Sequence, residues 1–389
     1  MTRRFTASER RARLVARHHL ATPAGSVEEI ADSLVALHAT DPATVHLSAA
    51  VRLREPGTAE RALYEDRTVL RMLGMRRTMF VVPAGLVPVV QAACADDIAE
   101  RQRKLLLQHL ETAGLGEDLD AWLADVEEGA FAALQARGAA QAAQIADGEP
   151  RLRTKIVMAQ GKPYEATGYI TNRVLFLLAA QGRIVRGRPR GTWLSTQYSW
   201  ATAESWLDGG IPAIPAEDAR AELARLWLRA FGPAPVEDLK WWTGWTAGQV
   251  KNALAAVGPV GVDLDGVPGI VLADDLEPVP EPAPVATLLP ALDPTPMGWS
   301  AREWYLGPHR EALFDRSGNI GPTVWWGGRV VGGWAQRADG SVVHRLLEHP
   351  GRESELAIEE ECARVQAWLG DVRVTPKFRT PLERELAAG

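Results

Sequence analysis

Three times along this chain, short helical patterns are followed by two strand-like runs around a turn, and that recurrence limits the fold more than any other feature. In the first instance Val27, Ile30, Ala31, Leu34, Leu37 and His38 fall at helical spacing. Ser26, with Glu29 three residues on, predicts a capping box at the start of that helix. Asp41-Pro42 predicts a second start, an N-cap followed by proline at the first helical position, with the helix running over 42–53. TAERALYEDR reads as a short helix, VLRMLGMRRTMFVVP as paired strands, and residues 84–108 as a long exit helix. In the second instance residues 119–136 and 139–146 read as helical. A helix over 170–181 then stops at Gly182, a C′ glycine. RIVR and TWLST follow as strands joined by Gly187-Arg188-Pro189-Arg190-Gly191. In the third, ARAELARLWLRAFG stops at Gly232-Pro233, VEDLKWWT and TAGQVKNALAAV form two short helices around Gly244, and GVDLDGVPGIVL has strand character with a turn glycine.

Helices closing in a β-hairpin are the pattern of a winged helix. The expected architecture is therefore mostly α: winged helix 1 with its exit helix over 1–110, winged helix 2 over 111–215, and winged helix 3 with the linker PVPEPAP over 216–284. Residues 285–389 read differently. LLPAL, TVWWGG, RVVGGW and SVVHRLL are short strands between Gly-rich turns, with a helix over 356–369 and a last strand RVTPKF, a small mixed α+β domain.

At 389 residues the chain exceeds one ordinary core. Its 46% hydrophobic and 24% charged residues are those of a globular protein. No apolar run is long enough for a membrane span, and MTRRFTASERRAR lacks the apolar stretch of a signal peptide. Cys94 and Cys362, far apart, fit buried thiols in a reducing cytoplasm. Zinc-ligand spacings are missing, so no zinc site is expected. The formal net charge of −6 hides segregation. Acidic residues gather over 117–128, 274–281 and 353–361, and basic ones over 71–77, 101–104, 151–155 and 183–190. Four basic clusters together can make a surface for phosphates.

The stretches LVALHATDPATVHLSAAVRL, ALYEDRTVLRMLGMRRTMFVVP, RVLFLLAAQGRIVRGRP, LWLRAFGPAPVEDLKWWTGWT and LLPALDPTPMGW resemble the winged-helix DNA-binding family that includes the bacterial AlkZ and YcaQ DNA glycosylases. They span most of the chain in the family's order. The resemblance implies three tandem winged-helix units around a concave, DNA-sized channel, and excision of bulky or crosslinking alkylated purines without metal or cofactor. It also places the catalytic pair at the joint between the second and third helices. The family's Gln-x-Gln or Gln-x-Asp is here His38-Ala39-Thr40.

In an extended turn alternate residues share a side, so His38 and Thr40 can point together. An N7-alkylated purine is already a cationic leaving group. What remains is to place a water and to stabilise the sugar's developing positive charge. A neutral imidazole can orient or deprotonate that water and a hydroxyl can hold it. A buried histidine bonded at a helix end is the plainer reading of His38. Asp41 supplies a nearby carboxylate, although its N-cap role accounts for it, and it can do both only if its second oxygen is free. For DNA contact the candidates are Arg183, Arg186, Arg188 and Arg190 of the second hairpin, Arg76 and Arg77 of the first, and Lys251 on the third unit's last helix. The tryptophan clusters and His46 read as core, and Asp293-Pro294 as a structural turn.

Three functions compete. The first is a monofunctional DNA glycosylase hydrolysing the N-glycosidic bond of bulky or crosslinked N7-alkylated purines. The second is a non-catalytic DNA-binding damage sensor or regulator, and the third a protein-interaction scaffold. Expected with the first are a double-stranded DNA partner, alkylated or undamaged, a monomeric state, no membrane, and a cytoplasmic, nucleoid-associated location.

Overall fold

A computed structural model of the chain describes residues 2–53, 59–158, 161 and 165–389. In order, α1 (Ala7–Arg17), α2 (Val27–Ser33), β1 (Leu37–His38), α3 (Pro42–Ala50) and α4 (Ala59–Tyr64) precede β2 (Val69–Gly74) and β3 (Thr78–Pro83). Next come α5 (Val87–Val90), α6 (Asp96–Thr112), α7 (Leu119–Gln135), β4 (Ala139–Ala140) and α8 (Ala142–Gly148). They are followed by β5 (Lys155–Met158), β6 (Ala166–Tyr169), α9 (Thr171–Ala180), β7 (Ile184–Pro189), β8 (Tyr198–Thr202) and α10 (Ala203–Trp206). Then α11 (Ala216–Phe231), α12 (Val236–Thr243), α13 (Ala247–Val257), β9 (Val260–Leu264) and β10 (Val267–Val271) lead to β11 (Ala286–Leu289). The chain ends with α14 (Glu303–Leu306), α15 (Arg310–Leu313), β12 (Thr323–Trp326), β13 (Arg329–Gln336), β14 (Val342–Leu346), α16 (Arg352–Leu369) and α17 (Pro381–Ala388). These elements gather into two compact units. The first holds residues 1–69, 80–84 and 220–389, the second 70–79 and 85–219.

In the first unit, α2 starts as its sequence demands, with the Ser26 hydroxyl accepting from the Glu29 amide at 3.1 Å. The Glu29 carboxylate accepts from Gly25 N–H at 2.7 Å, one residue before the position a capping box requires. α2 ends at Ser33, not at His38. Val35 takes a left-handed φ of 63°, and Leu37 and His38 pair antiparallel with Val81 and Phe80 of β3. Backbone pairing to a strand distant in sequence outweighs the helical spacing of the apolar residues. α3 begins at Asp41-Pro42 as expected and ends at Ala50, because Leu53 is drawn into a bridge with Ala24. The short helix predicted from Thr58 is α4; Thr58 itself lies outside the described residues.

Later in this unit α12 ends at Gly244, whose φ of 75° suits a residue without Cβ. α13 opens with a capping box of Thr246 and Gln249. β9 and β10 form a hairpin, and Ala234 bridges Ile270 beside it. β11-β12-β13-β14 make one antiparallel sheet. The predicted last strand RVTPKF is instead an irregular strap. Its Val374 amide donates to the Gln336 side chain and its Lys377 amide to Asp41, so side chains take the bonds a neighbouring strand would have supplied. Trp242, Trp245, Trp325 and Trp334 are buried, in keeping with the core reading.

The second unit is built around one core that includes Leu123, Val126, Ile145, Leu152, Leu178 and Ile184. Its sheet has the order β4-β8-β7. β4 occupies the start of what the sequence suggests is a helix over 139–146, because Ala139 and Ala140 pair with Ala201 and Trp200. The strand partner of β7 is Tyr198–Thr202 rather than TWLST, since this register buries Trp200 and Ala201. The exit helix expected over 84–108 is interrupted by a π-turn at Gln91–Ala95, with α6 running on to Thr112. There the Gln91 amide nitrogen donates to Ala180 O at 2.7 Å and to Asp96 at 2.6 Å. The hairpin β5–β6, between α8 and α9, has no counterpart in the sequence reading. Among the described residues no helix is long and apolar enough to cross a membrane.

Candidate active site and nucleic-acid interface

The joint sits in the first unit between a two-residue strand and a helix start. His38 is 6% exposed, and its ring lies edge-on to Phe80 with centroids 5.3 Å apart. Phe80 in turn faces Trp242 at 6.5 Å, so the imidazole has an aromatic floor. Thr40 is half-buried, and among the described residues its hydroxyl oxygen is shielded from solvent without a hydrogen-bond partner. Such a group is costly unless something completes its bonding.

Asp41 has both carboxylate oxygens in use. One accepts from the Ala43 amide at 3.1 Å, the N-cap bond of α3, and the other from the Lys377 amide at 2.8 Å. The condition for a second, catalytic job, a free oxygen, is not met. Pro42 at the first helical position needs no amide partner, so the start of α3 is fully satisfied.

All nine residues of α3 are buried, His46 among them. The helix is held by a charge network that the sequence reading did not find. Arg52, fully buried, makes a two-pronged ion pair with fully buried Asp293 at 2.7 and 2.8 Å. Ser48 donates to the same carboxylate at 2.7 Å, and Thr44 donates to Ala291 O at 2.8 Å. Burial pushes the Asp293 carboxyl up, but the Arg52 charge and the hydrogen bonds outweigh it and leave the group below its ordinary range. Arg52 also donates to His18 O and to the Thr295 hydroxyl. The His18 ring lies 3.0 Å from that hydroxyl and 3.1 Å from Ala230 O. Burial, then the Arg52 charge, push its pKa down to about 3, so the imidazole is neutral. Asp293-Pro294 is thus more than a turn: it is the counter-ion that seats the helix following the joint.

The arginines belong to the second unit, and they differ in state. Arg183 is clamped by both oxygens of Glu128, at 2.7 and 2.9 Å, and lies over Phe131, so its charge is largely answered within the protein. Arg186 lies over Tyr198 and Trp200, each at 5.4 Å. Arg71, absent from the sequence-based candidates, lies over the same Tyr198 ring at 4.8 Å. Burial, then the neighbouring Arg71 charge, lower the Arg186 pKa. Two guanidinium groups sharing one aromatic ring form a place suited to an anion. Arg186, Tyr198, Asn172 and Gln141 line a cleft there. Arg188 and Arg190 are exposed at the end of β7. Arg76 and Arg77 both take left-handed φ, 54° and 59°, in the turn after β2; Arg77 is exposed and lies 5.7 Å from the Phe176 ring. Lys251 is exposed on α13, in the first unit. Among the described residues no group of three or more His, Cys, Asp or Glu is placed to hold a metal ion.

Comparison with known proteins agrees with this arrangement of elements. The solved Streptomyces sahachiroi DNA glycosylase AlkZ is similar in fold, with a TM-score of 0.74 over 95% of this chain and 98% of that one, at 20% identity. The Streptomyces sahachiroi interstrand DNA cross-link repair glycosylase is 28% identical over 201 residues. That alignment spans 49% of this chain and 53% of the relative, about half its length. The family model described as DNA glycosylase AlkZ-like matches residues 31–368, and the chain therefore belongs to the AlkZ-like DNA glycosylase family.

Proposed function

We propose that the chain is a monofunctional DNA glycosylase that hydrolyses the N-glycosidic bond of bulky or crosslinked N7-alkylated purines in double-stranded DNA. On this reading the three helix-and-hairpin groups, α1–β3, α7–β8 and α11–β10, are tandem winged helices around a DNA channel, followed by the module at 285–389. Membership of the family supports it, as does the relative named for interstrand cross-link repair. The observation that carries the catalytic part is the joint itself: an imidazole at a strand end and, two residues on, a buried hydroxyl oxygen lacking a partner.

A water between them attacks C1′ of the lesion nucleotide. The C1′–N9 bond breaks, its electron pair passes into the purine and cancels the N7 cation, and the water proton passes to His38. The products are a neutral alkylpurine and a C1′ hydroxyl. Thr40 holds the water. Asp41 is a positioning residue, fixing the start of α3 and the strap at Lys377. Arg186, with Arg188 and Arg190, contacts phosphates, and the buried Arg71 adds its charge from behind the Tyr198 ring.

The test is release of alkylguanine from a duplex carrying one N7-alkylguanine, followed by mass spectrometry of the free base. Appearance of base with an intact abasic strand supports the reading. A second reading, a non-catalytic damage sensor, is favoured by one observation: neither His38 nor Thr40 brings negative charge to the sugar, and both Asp41 oxygens are engaged. Tight lesion binding with no base released would establish it.

A further inference from the structure

Beside the strap, the C-terminal module holds a cleft lined by Gln336, Arg337, Arg373, Val374, Arg379 and Arg384 among others. Four guanidinium groups share it, in a chain whose formal net charge is −6. Arg379 is answered by the buried Glu383, which takes two bonds from it at 2.7 and 3.0 Å. The other three are not engaged in an ion pair among the described residues. Arg373 donates to the carbonyls of Ala338, Asp339, Gly370 and Val372 at 3.0–3.2 Å. Arg337 donates to Leu386 O at 3.2 Å. Carbonyl bonds fix a guanidinium in place without cancelling its charge. Arg384 is exposed on α17. Glu385 is taken by Arg345 at 2.6 Å. Asp339, which accepts from Ser341 at 2.7 and 2.9 Å, offsets part of the charge of Arg337 and Arg373. With Glu383, two acids face four guanidinium groups, and the cleft stays positive.

The cleft is built rather than incidental. Gly340 has a φ of 97°, and a Cβ there would come 2.5 Å from an Arg373 nitrogen, so glycine is what admits the guanidinium. The strap that carries Arg373 is pinned at both ends. Gln336 donates to Val372 O at 3.0 Å and accepts from Val374 N–H at 2.8 Å, and Lys377 N–H reaches Asp41. Asp41 follows Thr40 directly.

We propose that this cleft binds a phosphodiester of the DNA backbone, and that the strap fixes the held phosphate relative to the His38–Thr40 joint through the Lys377–Asp41 hydrogen bond. This rests on the DNA-binding reading above and gives the C-terminal module a role in it. Guanidinium groups match phosphate oxygens in geometry as well as charge, and each phosphate neutralised releases counterions.

The test is duplex binding by the double variant Arg337→Gln/Arg384→Gln across a salt series, with thermal melting as the folding check. The slope of log affinity against log salt should become shallower by about 0.9–1.8, for one or two phosphates lost. Affinity near 0.1 M salt should fall about tenfold, with melting unchanged. Base release at saturating protein should slow as well, because the lesion strand is no longer fixed against the joint. Arg384→Glu, at an exposed helical position, should weaken binding on its own. If wild type binds duplex and the double variant keeps its affinity and slope, the inference is overturned while the DNA reading survives. Inorganic phosphate raising the melting temperature of wild type alone, with DNA affinity equal in both, would assign the cleft to free phosphate. Absence of any duplex binding by wild type would sink both readings.

Discussion

The pair Arg52–Asp293 is where this fold should break most sharply. Asp293→Asn keeps the shape of the side chain and removes its charge. Arg52 is then left fully buried with no counter-ion, and Ser48 and Thr295 share a weaker acceptor. Removing one partner of such a pair costs about 3–5 kcal/mol. For a unit of this size that corresponds to a melting temperature lower by roughly 6–20 °C. The assay is thermal unfolding by circular dichroism or calorimetry, with denaturant titration to separate the units. The double change Arg52→Met/Asp293→Leu removes both charges and should recover most of the loss, because apolar side chains of similar volume need no counter-ion. Base release should fall in the single variant more than stability alone explains, since α3 carries the joint at its start. A loss below about 1 kcal/mol for Asp293→Asn, or a double variant no better than the single one, would refute the argument that the pair seats α3.

Acid should destabilise the first unit over two pH windows. His18 has its pKa lowered to about 3, so it is neutral in the fold and takes a proton on unfolding. The stability this confers is complete above the ordinary imidazole value of about 6.5 and is lost as pH falls from there toward about 3, with a ceiling of about 5 kcal/mol. Asp293, with its pKa depressed, adds stability above about 4 that is lost as pH falls through its folded value. Melting curves from pH 7 to 4 should show the first slope, and His18→Gln should flatten it. In the second unit, Arg186→Ala and Arg188→Ala should weaken binding to unrelated duplexes alike, each making the salt dependence shallower by about 0.9; anisotropy titrations that reveal a sequence preference would favour a regulator. Arg183→Ala should change affinity least, because Glu128 already holds its charge. Asp41→Asn should keep the cap, since asparagine caps as well as aspartate, but sets an NH2 against the Lys377 amide and should lower stability by about 1–3 kcal/mol while leaving measurable base release.

Local rules made some of the site legible. Ser26, Asp41-Pro42 and Gly182 act on residues within one turn, and each stands where its local chemistry puts it. His38 was found as a candidate, but not as a strand residue, because a two-residue strand exists only through its partner at Phe80. The same reason hides β4 and replaces the last predicted strand with a strap. Arg52 and Asp293 lie 241 residues apart, and no spacing rule joins them. The signal available was a lone arginine at the end of an otherwise apolar helix together with an Asp-Pro in LLPALDP. Clusters of arginine were visible as charge, yet their state was not. Arg183 and Arg186, three residues apart, end up neutralised by Glu128 and stacked between rings, respectively.

The account stands on His38 acting upon a water at the joint, and single-turnover base release measures that directly. Wild type, His38→Ala and Thr40→Ala are compared at saturating protein on a duplex with one N7-alkylguanine, with affinity measured alongside. Loss of a positioned base should slow His38→Ala by about 10²–10⁴-fold with affinity nearly unchanged, and loss of the hydroxyl should slow Thr40→Ala by about tenfold. Equal rates for wild type and His38→Ala, both well folded and both bound, would contradict the mechanism.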